Sequence, residues 1–150
     1  MPQTADRNDP YSAFNFLVTI DGVVDQAGFS EVSGLSIETD VIEYRTGPED
    51  TTVRKLPGLK KFANIVLKRG VTKDTKLWEW RKQVLDGATE RHTGSITLLN
   101  EARQPAVEWA FSEAWPRKLD GPTFNGKTNE VAIETLELAV ESVQVVVSGG

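Results

Sequence analysis

Apolar and polar positions alternate from Phe14 onward: Phe14, Phe16, Val18 and Ile20 occupy every second position around Asn15, Leu17 and Thr19. That spacing predicts a strand with one buried face, and Asp21-Gly22 behind it is a hairpin-turn signal. From Phe29 to Tyr44 the text FSEVSGLSIETDVIEY stays in strand vocabulary. Val32, Ser33 and Gly34 interrupt it, and a glycine inside a strand pattern predicts a bulge or bend. Between Arg45 and Lys61 the character changes to RTGPEDTTVRKLPGLKK, with the turn formers Gly47-Pro48 and Pro57-Gly58 and charges of both signs. This stretch is too long for a tight connection, so it predicts an extended arm at about 45–61, with Thr51 to Leu56 in a projecting hairpin. Phe62 to Lys68 predicts a strand closed by Arg69-Gly70. A helix follows, capped by Thr72 or Asp74, with Leu77, Trp78, Arg81, Val84 and Leu85 at helical spacing and Gly87 past its end.

Ser95 to Leu99 predicts another strand, and Val107, Trp109 and Phe111 one more, ended by Trp115-Pro116. The last segment, NEVAIETLELAVESVQVVV, carries two signals. Its Glu, Ala and Leu content favours helix, but Leu136, Leu138 and Val140 alternate, as do Val143, Val145 and Val147. We read it as strand with a register break near Thr135. The sum is about seven strands and one helix, a mainly β fold.

Composition narrows the chemistry. The 150 residues predict one domain, 1–150, in which the polar residues 1–12 form a flexible N-terminal arm. With 17 Lys+Arg against 22 Asp+Glu the net charge is −5, which argues against general coating of nucleic acid. Cysteine is absent, which removes disulfides, thiolate metal sites and a Cys nucleophile together. His92 is the only histidine, so a zinc site of several imidazoles is ruled out. No apolar run reaches the ~18–20 residues of a membrane helix, and MPQTADRNDPYS does not read as a signal peptide.

The sharpest short pattern is GPTFNGKT, Gly121 to Thr128, which fits the phosphate-loop formula G-x-x-x-x-G-K-[ST]. In such loops backbone N–H groups wrap phosphates, the lysine (here Lys127) reaches the terminal phosphates, and the Thr (here Thr128) ligates Mg²⁺. That chemistry needs a buried strand before the loop and a helix after it. AWPRKLD is a poor buried strand and the following text reads as strand, so the segment reads as a Gly/Pro/Asn turn. His92, in TERHTGS, reads as an exposed loop histidine, since no strained elbow surrounds any serine that it could activate. The acids Glu38, Asp40 and Glu43, and Glu134, Glu137 and Glu141, read as solvated strand faces and not as acid–base pairs. Trp78 and Trp80 lie about 200° apart around a helix, so they cannot share one narrow face, and one of them is expected to meet another sheet or another subunit.

Five segments carry a resemblance: FSEVSGLSIETDVIEYR (29–45), TVRKLPGLKKFANIVLKRGVT (52–72), LWEWRKQV (77–84), GSITLLNE (94–101), and AWP followed by GPTFNGKTNEVAIETLELAVE within 114–141. In order and spanning nearly the whole chain from Phe14, they resemble the tail tube proteins of contractile phage tails and of related contractile injection systems. The resemblance implies two packed antiparallel sheets in a small barrel-like sandwich, flanked by a single helix. It implies no catalytic activity and no cofactor. Its implied partners are copies of itself, as hexameric rings stacked into a hollow tube, a surrounding sheath protein, baseplate or spike and terminator proteins, and cargo effector or DNA in the lumen. It further implies assembly in the bacterial cytoplasm, then a place in a phage tail or in a released or envelope-anchored particle. A tube-initiating adaptor ring near the baseplate is the neighbouring alternative, and a small nucleotide-binding protein using Lys127 and Thr128 the distant one.

Within that expectation the charged arm suits gripping an adjacent ring or subunit. Tyr44, Arg45, Glu49, Asp50, Arg54 and Lys55 are the candidate polar contacts. Leu56 and Leu59 are candidate apolar anchors, because rim charges give orientation more than affinity. Trp78, Arg81 and Lys82 are candidates for an outward-facing helix surface.

Overall fold

A computed structural model describes residues 10–45, 47 and 52–147. Among these the chain forms ten strands and one helix. In chain order they are β1 (Phe16–Ile20), β2 (Val24–Ala27), β3 (Glu31–Ser33), β4 (Ile37–Tyr44), β5 (Arg54–Phe62), β6 (Ile65–Gly70), α1 (Lys76–Leu85), β7 (His92–Leu99), β8 (Pro105–Asp120), β9 (Ile133–Ala139) and β10 (Ser142–Val147). All described pairings are antiparallel. Eight strands form one sheet in the order β2-β1-β7-β8-β9-β6-β3, with β10 also on β8; β4 and β5 form a second, two-stranded sheet. The mainly β fold with one helix agrees with the sequence reading. Two antiparallel sheets are present as expected, and the barrel-like arrangement is open, its path ending on β2 and β3.

The sixteen-residue β8 organises the molecule. Its first half pairs with β7 on one side and β10 on the other, and its second half pairs with β9. Between the halves the register against β7 slips from Gly94↔Phe111 to His92↔Ala114, and Glu113 takes a left-handed backbone conformation (φ 54°). One extra residue bends a strand and increases its twist, so β8 passes from one half of the sheet into the other. The β9–β10 strand breaks at the matching place, Val140–Glu141, where the Glu141 N–H donates to the Ser112 carbonyl at 3.1 Å. The expected break near Thr135 therefore lies several residues too early. The expected stop at Trp115-Pro116 is absent as well. Pro116 lies within β8, at a register shift on the stretch paired only with β9, where a missing N–H is tolerated.

One core joins both halves. Val18, Ile20, Ile96, Phe111 and Val143 come from one, Ile65, Leu67, Leu136 and Leu138 from the other, and Leu77 and Trp80 from the helix. Each such side chain contributes about 1.5–3 kcal/mol by burial. Two glycines are required by space. Gly34 (φ +90°) brings the chain against the backbone of Asn64, where any Cβ would collide with the Asn64 carbonyl. Gly94 lies under the Phe111 ring, with 2.5 Å from an added Cβ to both the ring and the Thr19 carbonyl oxygen.

The helix begins after Thr75, which takes the N-cap position in place of the expected Thr72 or Asp74, while those two residues order the turn ahead of it. Asp74 Oδ1 accepts the Lys76 N–H at 3.0 Å, Thr72 Oγ1 accepts the Asp74 N–H at 3.2 Å, and Gly87 is left-handed behind the end. Behind the helix Arg69 and Glu134 form a buried ion pair at 2.7 Å, with the guanidinium over the Phe29 ring. The segment FANIVLK is two strands rather than one: β5 ends at Phe62, and β6 begins at Ile65.

Candidate functional site

The feature that the core does not explain is the β4–β5 hairpin. Among the described residues it pairs with no other strand, and Ile37, Val41, Ile42, Tyr44, Leu56 and Leu59 are all exposed on it. The arm expected at 45–61 is therefore longer and begins earlier, at Ile37. β4 does not continue the body's sheet because the chain turns away at Gly34 to Ser36. Pro57-Gly58 does not turn. Pro57 lies opposite Val41 inside β5, and the register slips by one residue between Thr39 and Val41, opposite Gly58 and Leu59. A proline is tolerated in a strand whose outer side pairs with nothing.

The predicted contact residues map onto this hairpin. Tyr44 ends β4 directly opposite Arg54, and Arg45 follows it. Lys55 pairs with Glu43 and Leu56 with Ile42, while Leu59, 74% exposed, stands at the bulge. Glu49 and Asp50 lie outside the described residues. Lys61 of β5 pairs with Asp40 of β4 at 3.1 Å, within the hairpin itself.

On the helix Trp80 is the inward tryptophan, 2% exposed, and Trp78 the outward one at 48%. The Trp80 indole N–H donates to the Glu90 carbonyl at 2.7 Å and its ring meets His92 edge-on at 5.1 Å. His92 is thus the half-buried first residue of β7 and not an exposed loop residue; the ring packing holds it there. Trp78 and Lys82 share the solvent side with Leu85, whereas Arg81 is half-buried.

The GPTFNGKT segment is a loop between antiparallel neighbours β8 and β9, with no helix behind it. Asn125 closes it locally, its side-chain oxygen accepting the Lys127 N–H at 3.0 Å, and Phe124 is 84% exposed. A phosphate loop's strand-to-helix geometry is missing. Sequence reasoning overlooked two exposed features: the open outer edge of β10 with Val145, Val146 and Val147, and the segregation of charge by strand in the hairpin. The second was legible, since IETDVIEY holds only acids and RKLPGLKKF only bases.

Among the described residues the site is thus a bent, open antiparallel sheet with one helix, unpaired strand edges and a separate hairpin with exposed apolar residues. Residues 12–144 match the family model of the T4-like virus tail tube protein gp19. The chain belongs to this tail tube family, and its fold is that of a tube subunit of contractile injection systems. It is 28% identical, with a TM-score of 0.87, to a chain of an extracellular contractile injection system, the PVC sheath–tube complex in the extended state, covering 99% of this chain and 100% of that one. A chain in the tube-terminating cap of the anti-feeding prophage is 32% identical with a TM-score of 0.85, again covering 99% and 100%. Hcp1 from Flavobacterium johnsoniae, 19% identical with a TM-score of 0.57 over 90% of this chain and 97% of that one, shares the fold. A search of curated proteins gave no match.

Proposed function

We propose that this chain is the repeating subunit of an inner tube, forming hexameric rings that stack into a hollow conduit inside a contractile sheath. Its 150 residues act as one domain with a structural and not a catalytic role. The observation that supports this most directly is the likeness over 99% of the chain to a chain of a sheath–tube complex. The hairpin contact residues Tyr44, Arg45, Glu49, Asp50, Arg54, Lys55, Leu56 and Leu59 serve contacts between subunits. The helix face bearing Trp78, Arg81 and Lys82 looks outward. Assembly takes place in the bacterial cytoplasm on a baseplate, a terminator closes the far end, and effector or DNA fills the lumen. The conduit then travels as part of a tail or injection particle.

A second reading, a ring-forming adaptor or cap paralog, draws on the 32% identity to a chain of a tube-terminating cap. Native mass spectrometry of the purified chain tests the ring. A species at six subunit masses is expected, unchanged by Lys127→Ala and by Mg-ATP. A strictly monomeric chain at all concentrations contradicts the proposal, and growth beyond one ring separates the main tube subunit from the adaptor.

A further inference from the structure

The GPTFNGKT loop, to which the tube reading gives no role, contains one dipeptide with chemistry of its own. The chain has six asparagines, Asn8, Asn15, Asn64, Asn100, Asn125 and Asn129, and of these Asn125 alone precedes a glycine. The backbone nitrogen that follows an asparagine can attack its side-chain carbonyl carbon, and a side chain on the following residue hinders that approach. Glycine removes the hindrance and frees the backbone to reach the geometry. The surroundings also set Asn125 apart. Asn15 is buried, its Nδ2 donating to the Asn100 carbonyl at 2.9 Å. Asn64 donates to Glu137 at 3.1 Å, and Asn100 Oδ1 accepts the Gln104 N–H at 3.0 Å. Asn125 and Gly126 are both exposed, and a Cβ added at Gly126 would meet nothing within 4 Å.

The turn itself holds the reacting groups. Asn125 Oδ1 accepts the Lys127 N–H at 3.0 Å, and the Asn125 backbone carbonyl accepts the Thr128 N–H at 3.3 Å. This Asx turn folds the side chain back along the backbone that follows it. A hydrogen bond to Oδ1 polarises the side-chain carbonyl and stabilises the negative charge that gathers there on attack, as an oxyanion donor does. Among the described residues the Gly126 N–H donates to no group, so the nucleophile is not held elsewhere.

We propose that Asn125-Gly126 is a self-modification site, at which the loop converts a side-chain amide to a carboxylate without an enzyme. The Gly126 nitrogen gives its proton to a solvent base and bonds to Asn125 Cγ. The Cγ–Nδ2 bond then breaks, the departing nitrogen takes a proton from water and leaves as ammonia, and a cyclic succinimide remains. Water adds to either ring carbonyl. Breaking the bond from the Gly126 nitrogen to Cγ gives aspartate with the original backbone. Breaking its bond to the backbone carbonyl carbon gives isoaspartate, with the chain rerouted through the side chain. The net change is one water consumed and one ammonia released, with no oxidant and no cofactor. Lys127 is the only charged residue from Gly121 to Thr128, so conversion takes this segment from cationic to neutral. In the isoaspartate form the carbonyl that accepts the Thr128 N–H leaves the backbone as a carboxylate, and the turn is rebuilt.

The full chain, incubated in mildly alkaline buffer made with heavy-oxygen water and then digested in ordinary water, tests this by mass mapping of the tryptic peptide Leu119–Lys127. Conversion at position 125 with uptake of solvent oxygen is expected at least about tenfold faster than at Asn129, which is also exposed but precedes Glu130. Gly126→Ala is expected to slow it by about tenfold with an unchanged melt, because the position has room for a methyl group. The folded chain should convert at least as fast as the same chain unfolded in urea, since only the folded turn holds Oδ1 on the Lys127 N–H. Equal rates at Asn125 and Asn129, an unchanged rate in Gly126→Ala, or strong protection by folding each overturn the proposal. Ring formation plays no part in the readout, so the result is independent of the tube reading.

Discussion

Gly94 has no space for a side chain, because the Phe111 ring and the Thr19 carbonyl occupy it. Gly94→Ala must displace an aromatic ring or a backbone, and overpacking of this kind costs about 1–3 kcal/mol. A fall of several degrees in the thermal midpoint is expected, and an unchanged melt contradicts the packing. Glu134 tests a different force. Its partner Arg69 is buried beside it, so Glu134→Ala leaves that cation with only the longer 3.9 Å pair to Asp74, at a cost of up to about 3–5 kcal/mol. Replacing both by apolar residues of similar volume should recover most of that loss in the same melting experiment. Neither role was legible in the sequence. Gly94 stood just ahead of the strand predicted from Ser95, and Glu134 read as one of three solvated acids, because burial of an acid depends on which strand lies beside it. The tryptophans show the same limit. Helical geometry separates Trp78 from Trp80, but only packing beside Leu77 against β8 selects Trp80 as the inward one.

Among the elements, the hairpin is the one whose integrity and whose contacts separate. Ile42 and Leu56 face each other across β4 and β5, are exposed, and do not belong to the core cluster. The pair Ile42→Asp and Leu56→Asp should therefore move the melting midpoint of the body little, since substitutions at exposed positions stay mostly within about 0.5 kcal/mol. It should abolish rings in size-exclusion chromatography. Rings that survive would remove this face of the hairpin from the interface. Strand existence was legible where apolar positions alternate, as in β1, β7 and β9. Strand ends were not, because Pro57 and Pro116 are permitted inside strands that lack a partner on one side, and a single sequence does not reveal which strands those are. The arm itself was legible through its charges, but its start was misplaced, since IETDVIEY has the same alternation whether it joins the body's sheet or leaves it.

At the scale of the whole molecule, the open path from β2 to β3, and the β10 edge and the hairpin that pair with no further strand among the described residues, are hazards for a monomer. In the proposed ring, neighbouring copies would cover these edges together, which makes a fold left open in one chain coherent in an assembly. The family was legible because its segments run in order through nearly the whole chain, whereas the parent particle is not written in any one segment. Negative-stain electron microscopy of the purified chain across a concentration series tests the central claim most directly. Six-fold rings that lengthen into hollow tubes as concentration rises are the predicted result. Featureless small particles at every concentration, also when a baseplate nucleus is supplied, would contradict it.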